Sequence, residues 1–282
     1  MTDRNDTAAN TSTAADETLA TEAGIRAEEA RDRRFVTALA RGLAILRSFK
    51  RSERWLANSE IASRTGLPRP TVSRLTYTLT RLGYLAHSQK LEKYALGASV
   101  LALGHAFLAG EDVRAVAKPL MQALADEVQA SVILGALDQT QMVVLEVCHG
   151  SNAFHIRREI GERLPHGTTA LGRAYLAGLD RTRFDATMAT LLQRVPKAKR
   201  AEVSAGVEQA RHDYAAHGFV FSLGDWMPEL YAVGVPLPIQ GGERLLALSV
   251  NGPVYSMTRE RLVGEVGPAL RRARDAILQR VG

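Results

Sequence analysis

The chain is short of several things, and each scarcity excludes a class of protein. It has one cysteine among 282 residues, Cys148, so it can form neither an intrachain disulfide nor a cysteine-based metal cluster. No run approaches the ~20 consecutive apolar residues of a membrane-spanning helix. The opening stretch, MTDRNDTAANTSTAADE, is polar and acidic and lacks the apolar segment of a secretory signal. A cytoplasmic protein with no membrane partner is the expectation. Catalytic motifs are equally scarce. There is no Gly-rich phosphate loop and no G-x-S-x-G elbow. His149, His155, His166, His212 and His217 lack the i, i+4 pairing around a Glu that a zinc hydrolase uses. Cys148 and His149 are strand neighbours that point to opposite faces, a poor nucleophile–base pair. Asp225 and Glu229 are loop carboxylates, which water usually claims. No enzyme, cofactor or metal is expected.

What the chain does have is an uneven charge. Residues 35–95 carry 11 Lys/Arg against 3 Asp/Glu, whereas residues 96–282 carry 20 against 19 and residues 1–34 carry 5 against 8. The net charge of +6 therefore resides in one segment. Such a segment gains affinity for a polyanion by releasing condensed counterions. Hydrophobic content of 46% suffices for packed cores, and the length suits about two domains.

The basic segment also carries a structural pattern. Phe35, Leu39, Leu43, Leu46 and Phe49 recur at helical spacing and predict a first helix. Asn58 and Ser59 offer a helix N-cap, and the short helix after them stops near Gly66. Leu67-Pro68 turns the chain, and Pro70 suits the first turn of a new helix, where its missing N–H costs little. In that helix Val72, Leu75, Leu79 and Leu82 share an apolar face, while Pro70, Ser73, Arg74, Tyr77 and Arg81 share the opposite one. A helix docked by one side and cationic on the other is suited to a DNA major groove. Arg74 can fork onto guanine O6 and N7, and Thr71 and Ser73 can bond phosphates or base edges. A salt bridge from Arg74 to Glu60 is the alternative use of that side chain. Gly83-Tyr84-Leu85 and Lys93-Tyr94-Ala95-Leu96 predict a two-stranded wing with Lys90 and Lys93 at its tip, within reach of phosphates.

Residues 1–34 are too polar to offset ordering entropy and read as a disordered tail, transiently helical over Thr18–Arg34. The helix-turn-helix domain spans 35–96, an apolar linker helix spans 97–111, and a second domain spans 112–282. In that domain Val113–Gln129 is helical, and Ser131–Asp138 and Gln141–His149 form a hairpin. Phe154–Glu159 alternates like a strand. A helix starts near Thr169, and another, Ala201–His217, ends at Gly218. Strands follow at Phe219–Leu223, Tyr231–Leu237 and Leu245–Val250, and Thr258–Leu278 closes as a helix. The expected fold is α+β, an antiparallel sheet covered by helices.

These blocks together resemble the isocitrate lyase regulator (IclR) family of bacterial transcription factors over roughly residues 35–280. The resemblance rests on ALARGLAILRSF, SEIASRTGLPRPTVSRLTYTLTRLGYL and YALG, then on GERLPHGTTALGRAYLA, ARHDYAAHGFVFSLGD and AVGVPLPI…LLALSVNGP. It implies a winged helix-turn-helix domain, a linking helix used in dimerisation and an effector-binding domain related to GAF and PAS folds. It implies double-stranded operator DNA as a partner of a homodimer or homotetramer, with Pro70–Leu82 as the recognition helix and Arg69, Thr71, Ser73 and Arg74 on the DNA; Tyr77 lies deeper along the helix, towards the DNA backbone, and Lys90 and Lys93 reach it from the wing. It also places a small-molecule effector against Thr168, Thr169, Ala170 and Leu171, against Asp225 and Gly234, and against Ser249 and Asn251. A helix N-terminus suits an anionic head group, and Ser249 and Asn251, two apart on a strand, share a face. Trp226, Met227 and Tyr231 add bulk, which suggests a larger or more apolar ligand such as an aromatic acid; Trp226 as a packed loop anchor is the favoured alternative. Of Arg157 and Arg158, one should face the ligand side and one solvent, with a surface role favoured over an effector counterion. Two other readings stay open for the second domain: oligomerisation without a ligand, or an appended enzyme.

Overall fold

The computed structural model describes residues 21–50, 52–110, 112–151 and 158–281. They divide into an N-terminal unit, residues 21–110, and a C-terminal unit, residues 112–281.

The N-terminal unit runs α1 (Glu22–Arg31), α2 (Thr37–Arg47), β1 (Leu56–Ala57), α3 (Asn58–Thr65), α4 (Arg69–Arg81), β2 (Leu85–Ser88), β3 (Lys93–Leu96) and α5 (Ala98–Ala109). The start of α3 is held by Glu60, whose carboxylate accepts the Ala57 N–H at 2.6 Å; the cap position is Ala57 rather than Asn58 or Ser59. Its end is Gly66 at φ 70°, a left-handed conformation that favours a residue without a Cβ. The strands pair antiparallel in the order β1-β3-β2, giving the expected wing. Ile45, Leu56, Ile61, Leu67, Val72 and Leu85 form the core.

The structure corrects three further expectations in this unit. Residues 1–20 of the expected tail lie outside the described residues, but residues 22–31 form α1. Ile25 is fully buried, and Glu22 ion-pairs with Arg41 and Arg26. One apolar anchor and one charge cluster dock a helix whose average composition is polar. In α2 the buried residues are Ala44 and Ile45, whereas Leu39 and Leu43 are 63% and 47% exposed. Leu82 falls just past the end of α4 and is 61% exposed, and within the helix Thr76 takes an inward position. Thr76 is tolerated there because its hydroxyl donates to the Val72 carbonyl at 2.9 Å.

The C-terminal unit runs α6 (Asp112–Val128), β4 (Ser131–Asp138), β5 (Gln141–His149), β6 (Arg163–Pro165), α7 (Ala170–Ala177), α8 (Arg181–Arg194), α9 (Arg200–His217), β7 (Val220–Leu223), β8 (Leu230–Ile239), β9 (Arg244–Pro253), α10 (Arg259–Arg261) and α11 (Gly267–Val281). A π-helical turn, Leu262–Val266, joins the last two. The six strands lie in the order β6-β5-β4-β9-β8-β7, every neighbour antiparallel. Alternation sends Val132, Leu134, Val233, Leu248 and Val250 to one face, beneath α6 and α11. It sends Ile133 and Ala247 to the other, beneath α7, α8 and α9. The α+β, GAF-like expectation holds. Sequence periodicity missed α8 and β6. The strand expected over Phe154–Glu159 lies mostly outside the described residues, and Arg158 and Glu159 are not in a strand. No helix among the described residues is long and apolar enough to cross a membrane.

Candidate functional site

The outer side of α4 is open. Arg69, Pro70, Ser73, Arg74, Tyr77 and Arg81 are exposed and Thr71 is half-buried. Among the described residues Arg69, Arg74 and Arg81 make no ion pair. Glu60, the alternative partner for Arg74, is occupied by the Ala57 N–H and by the Lys93 ammonium at 3.4 Å. The Ala57 hydrogen bond, followed by Lys93, holds the Glu60 carboxyl below its ordinary value. Asn58 Nδ2 donates to Ser73 Oγ at 3.0 Å, so Ser73 also ties α3 to α4. Lys90 is exposed in the β2–β3 turn. Lys93 is not at that tip: it opens β3 opposite Ala57 and Ser88, with its charge on Glu60.

A second site lies under α7. Strand register places Ile133, Ser249 and Gly234 in one row across β4, β9 and β8, and Ser131, Asn251 and Ala232 in the row two residues along. A cavity opens above these rows, lined by Ile133, Ala232, Ser249 and Asn251 from the sheet and by Thr169, Ala170 and Leu171 from the start of α7. Thr169 is the N-cap. Its Oγ1 accepts from the Gly172 N–H at 3.2 Å and donates to the Pro165 carbonyl at 2.6 Å. Leu164, Ser222, Arg158, Trp226, Met227 and Leu230 complete the lining. The free volume is only about 30 Å³, room for about one water.

Of the sequence-read effector residues, Thr169, Ala170, Leu171, Ser249 and Asn251 meet at this cavity. Thr168, Asp225 and Gly234 do not line it, and each has a different task. The Thr168 carbonyl accepts from Ser222 Oγ at 2.7 Å. Asp225 receives both Nη atoms of buried Arg173, at 3.0 and 2.9 Å, while Arg173 also donates to the Gly167 and Phe221 carbonyls. Burial pushes the Asp225 carboxyl up, but Arg173 and the Leu223 N–H outweigh it and hold the group below its ordinary value. Gly234 lies so close under α7 that a Cβ would overlap the Ala170 carbonyl.

Arg158 and Trp226 also depart from the favoured reading. Arg157 lies outside the described residues. The Arg158 side chain is only 9% exposed, pairs with Glu162, and stacks over the Trp226 ring at 4.4 Å. Trp226 is packed on the α7-side core and lines the cavity as well, so the anchor and lining roles coexist. Tyr231 packs on the opposite core and adds no bulk here. Ile133, Leu164, Ser222 and Leu230 were missed. Strand alternation supplied a face for Ile133 and Ser222 but no signal for which stretch of it α7 leaves uncovered, and Leu164 and Leu230 lay outside the expected strands. His166 is 1% exposed and edge-on to Tyr175, and neither ring nitrogen has a hydrogen-bond partner among the described residues. Burial pushes its pKa down to about 3.

Comparison with known proteins bears on both sites. Residues 38–88 match the IclR helix-turn-helix domain, and residues 105–279 match the family described as bacterial transcriptional regulator IclR C-terminal. The HTH-type transcriptional regulator TsaQ1/TsaQ2 of Comamonas testosteroni is 30% identical over 84% of this chain and 85% of its own. The crystal structure of an IclR family transcriptional regulator from Brucella abortus is 39% identical and superposes with a TM-score of 0.81, covering 89% of this chain and 94% of that one. An IclR homologue from Microbacterium hydrocarbonoxydans, complexed with 4-hydroxybenzoate, shares the fold at 22% identity and a TM-score of 0.69, covering 86% of this chain and 98% of that one.

Proposed function

The chain belongs to the IclR family of bacterial transcriptional regulators, and from that premise we propose that it binds a pseudo-palindromic operator as a homodimer or homotetramer and answers to a small organic or aromatic acid. The observation that carries this reading is the outer face of α4, where three arginines stand free of ion pairs among the described residues, on a helix anchored from behind. Arg69, Pro70, Thr71, Ser73, Arg74 and Tyr77 meet the operator, with Lys90 on a phosphate. Lys93 acts through Glu60 at the base of the wing. A two-fold protein sets two such helices about one DNA turn apart.

A second copy is supported by α5, on which Leu101, Leu103 and Phe107 are 75%, 58% and 50% exposed and no residue is buried. A helix with this much outward apolar surface is suited to a partner. The effector reading rests on the cavity under α7, which the start of that helix lines together with Ser249 and Asn251 of the sheet; a helix N-terminus suits an anionic head group. Thr169, Ala170, Leu171, Ser249 and Asn251 touch the effector; Thr168, Asp225 and Gly234 hold the walls. The 4-hydroxybenzoate of the Microbacterium protein supports an aromatic acid as the first probe. The effector acts only in so far as it binds two arrangements of the dimer with different affinity. A protein that reads operators works in the cytoplasm. The small free volume favours one other reading, in which the C-terminal domain only oligomerises.

Two measurements test the proposal. Arg74→Ala should weaken specific operator binding about tenfold to a hundredfold with the oligomer intact; unchanged affinity removes Arg74 from the interface. A thermal-shift panel of carboxylic acids should contain a ligand that raises the melting temperature by mass action and alters operator affinity. An operator response to none of them supports the oligomerisation reading.

A further inference from the structure

Resting on the effector reading above, we propose that Arg158 is the charge-selecting residue of the cavity, taking the carboxylate of the effector in place of Glu162. Three observations converge on this side chain. First, it is the only charged residue lining the cavity among the described residues. Asp225, which would have brought a negative charge, is turned away and neutralised by Arg173. Second, the guanidinium is partly unmet among the described residues. One Nη donates to the Glu162 carboxylate at 2.5 Å and the other lies 3.5 Å from Met227 Sδ, but the buried Nε has no hydrogen-bond partner among the described residues. A buried cationic donor left without an acceptor is costly, and an anionic ligand oxygen removes the cost. Third, the guanidinium lies over the Trp226 ring, and Trp226, Met227 and Leu230 continue the lining as an apolar wall. A cationic edge beside an apolar wall fits an anionic head on an apolar body.

Glu162 is the built-in competitor. Its carboxylate holds Arg158 and accepts the Glu159 N–H at 3.1 Å, yet its side chain is 28% exposed and can release into water. A ligand carboxylate therefore exchanges with Glu162 at Arg158 instead of adding a second buried charge beside it. The arrangement favours carboxylates over neutral analogues of the same shape.

The test uses the full-length protein in a Trp55→Phe background, so that Trp226 alone reports, together with calorimetry. The probes are benzoate and 4-hydroxybenzoate, each against its neutral amide. The carboxylates should bind the parent at least about tenfold more tightly than the amides. Arg158→Gln should erase that preference, Arg158→Lys should restore part of it, and Glu162→Gln should tighten carboxylate binding. The opposite signs of the Arg158 and Glu162 variants separate charge selection from a merely structural role, which would weaken binding in both. Equal binding of acid and amide by the parent, or a preference that survives Arg158→Gln, overturns the proposal and leaves the effector cavity standing. Binding of none of the four probes, with the operator response absent across the wider acid panel, overturns the effector reading and this proposal with it.

Discussion

His166 makes the stability of the C-terminal unit sensitive to mild acid. The ring is 1% exposed, has no hydrogen-bond partner on either nitrogen among the described residues, and is pushed by burial down to a pKa of about 3. In the unfolded chain the same imidazole titrates near ~6.5. Below that value the unfolded state binds a proton that the folded state refuses, so stability rises with pH across this window and falls on acidification. With folded and unfolded values of about 3 and ~6.5, moving from pH 7 to pH 5 removes about 2 kcal/mol. The assay is urea unfolding at both pH values in the Trp55→Phe background, followed at Trp226, which packs on the same core as Tyr175. His166→Leu should lose about 2 kcal/mol less than the parent over this interval, whatever its baseline stability. Every other ionisable group is common to the two proteins and cancels in the difference. Equal pH dependence in the two proteins would refute the reasoning, because it would mean that His166 finds a proton or a water inside the fold.

Three further outcomes follow from the geometry. Gly234→Ala should destabilise the C-terminal unit by about 1–3 kcal/mol, because the new methyl must push α7 off the sheet; an unchanged urea midpoint would contradict the close approach. Arg173→Met should cost about 1–3 kcal/mol, below the range for a fully buried pair, because the Asp225 side chain is 35% exposed and regains water. The contribution of that pair is present above the unfolded carboxylate pKa and is lost as pH falls through the lowered folded value, so the gap between parent and variant in urea melts should close in acid. Lys90→Ala should weaken all DNA sequences alike and reduce the slope of log affinity against log salt by about 1, measured by fluorescence anisotropy.

The N-terminal unit was largely legible because its information is local. Helix spacing, the Gly66 stop, Pro70 in a first turn and the wing strands are each specified within a few residues, and the outward set Pro70, Ser73, Arg74, Tyr77 and Arg81 emerged as read. Its misreadings are also local averages that one contact overrides. A polar segment reads as a tail until Ile25 and the Glu22–Arg41 pair dock it; Thr76 is accepted in the core by bonding its own helix, and Leu82, just past the helix end, stays exposed. In the C-terminal unit, alternation identified the strands Ser131–Asp138 and Gln141–His149 at their observed bounds. The family resemblance pointed to Thr169, Ser249 and Asn251 together.

What the sequence by itself determined, then, was the kind of element at most positions, the cationic face of α4 and the two-domain plan, because periodicity and charge are properties of neighbours along the chain. The tertiary structure decided partnership. Whether Asp225 meets a ligand or Arg173, whether Lys93 meets a phosphate or Glu60, and whether Arg158 faces water or the cavity depends on charges brought together from distant positions. A charged side chain takes the nearest compensating group, and folding alone determines which group is nearest.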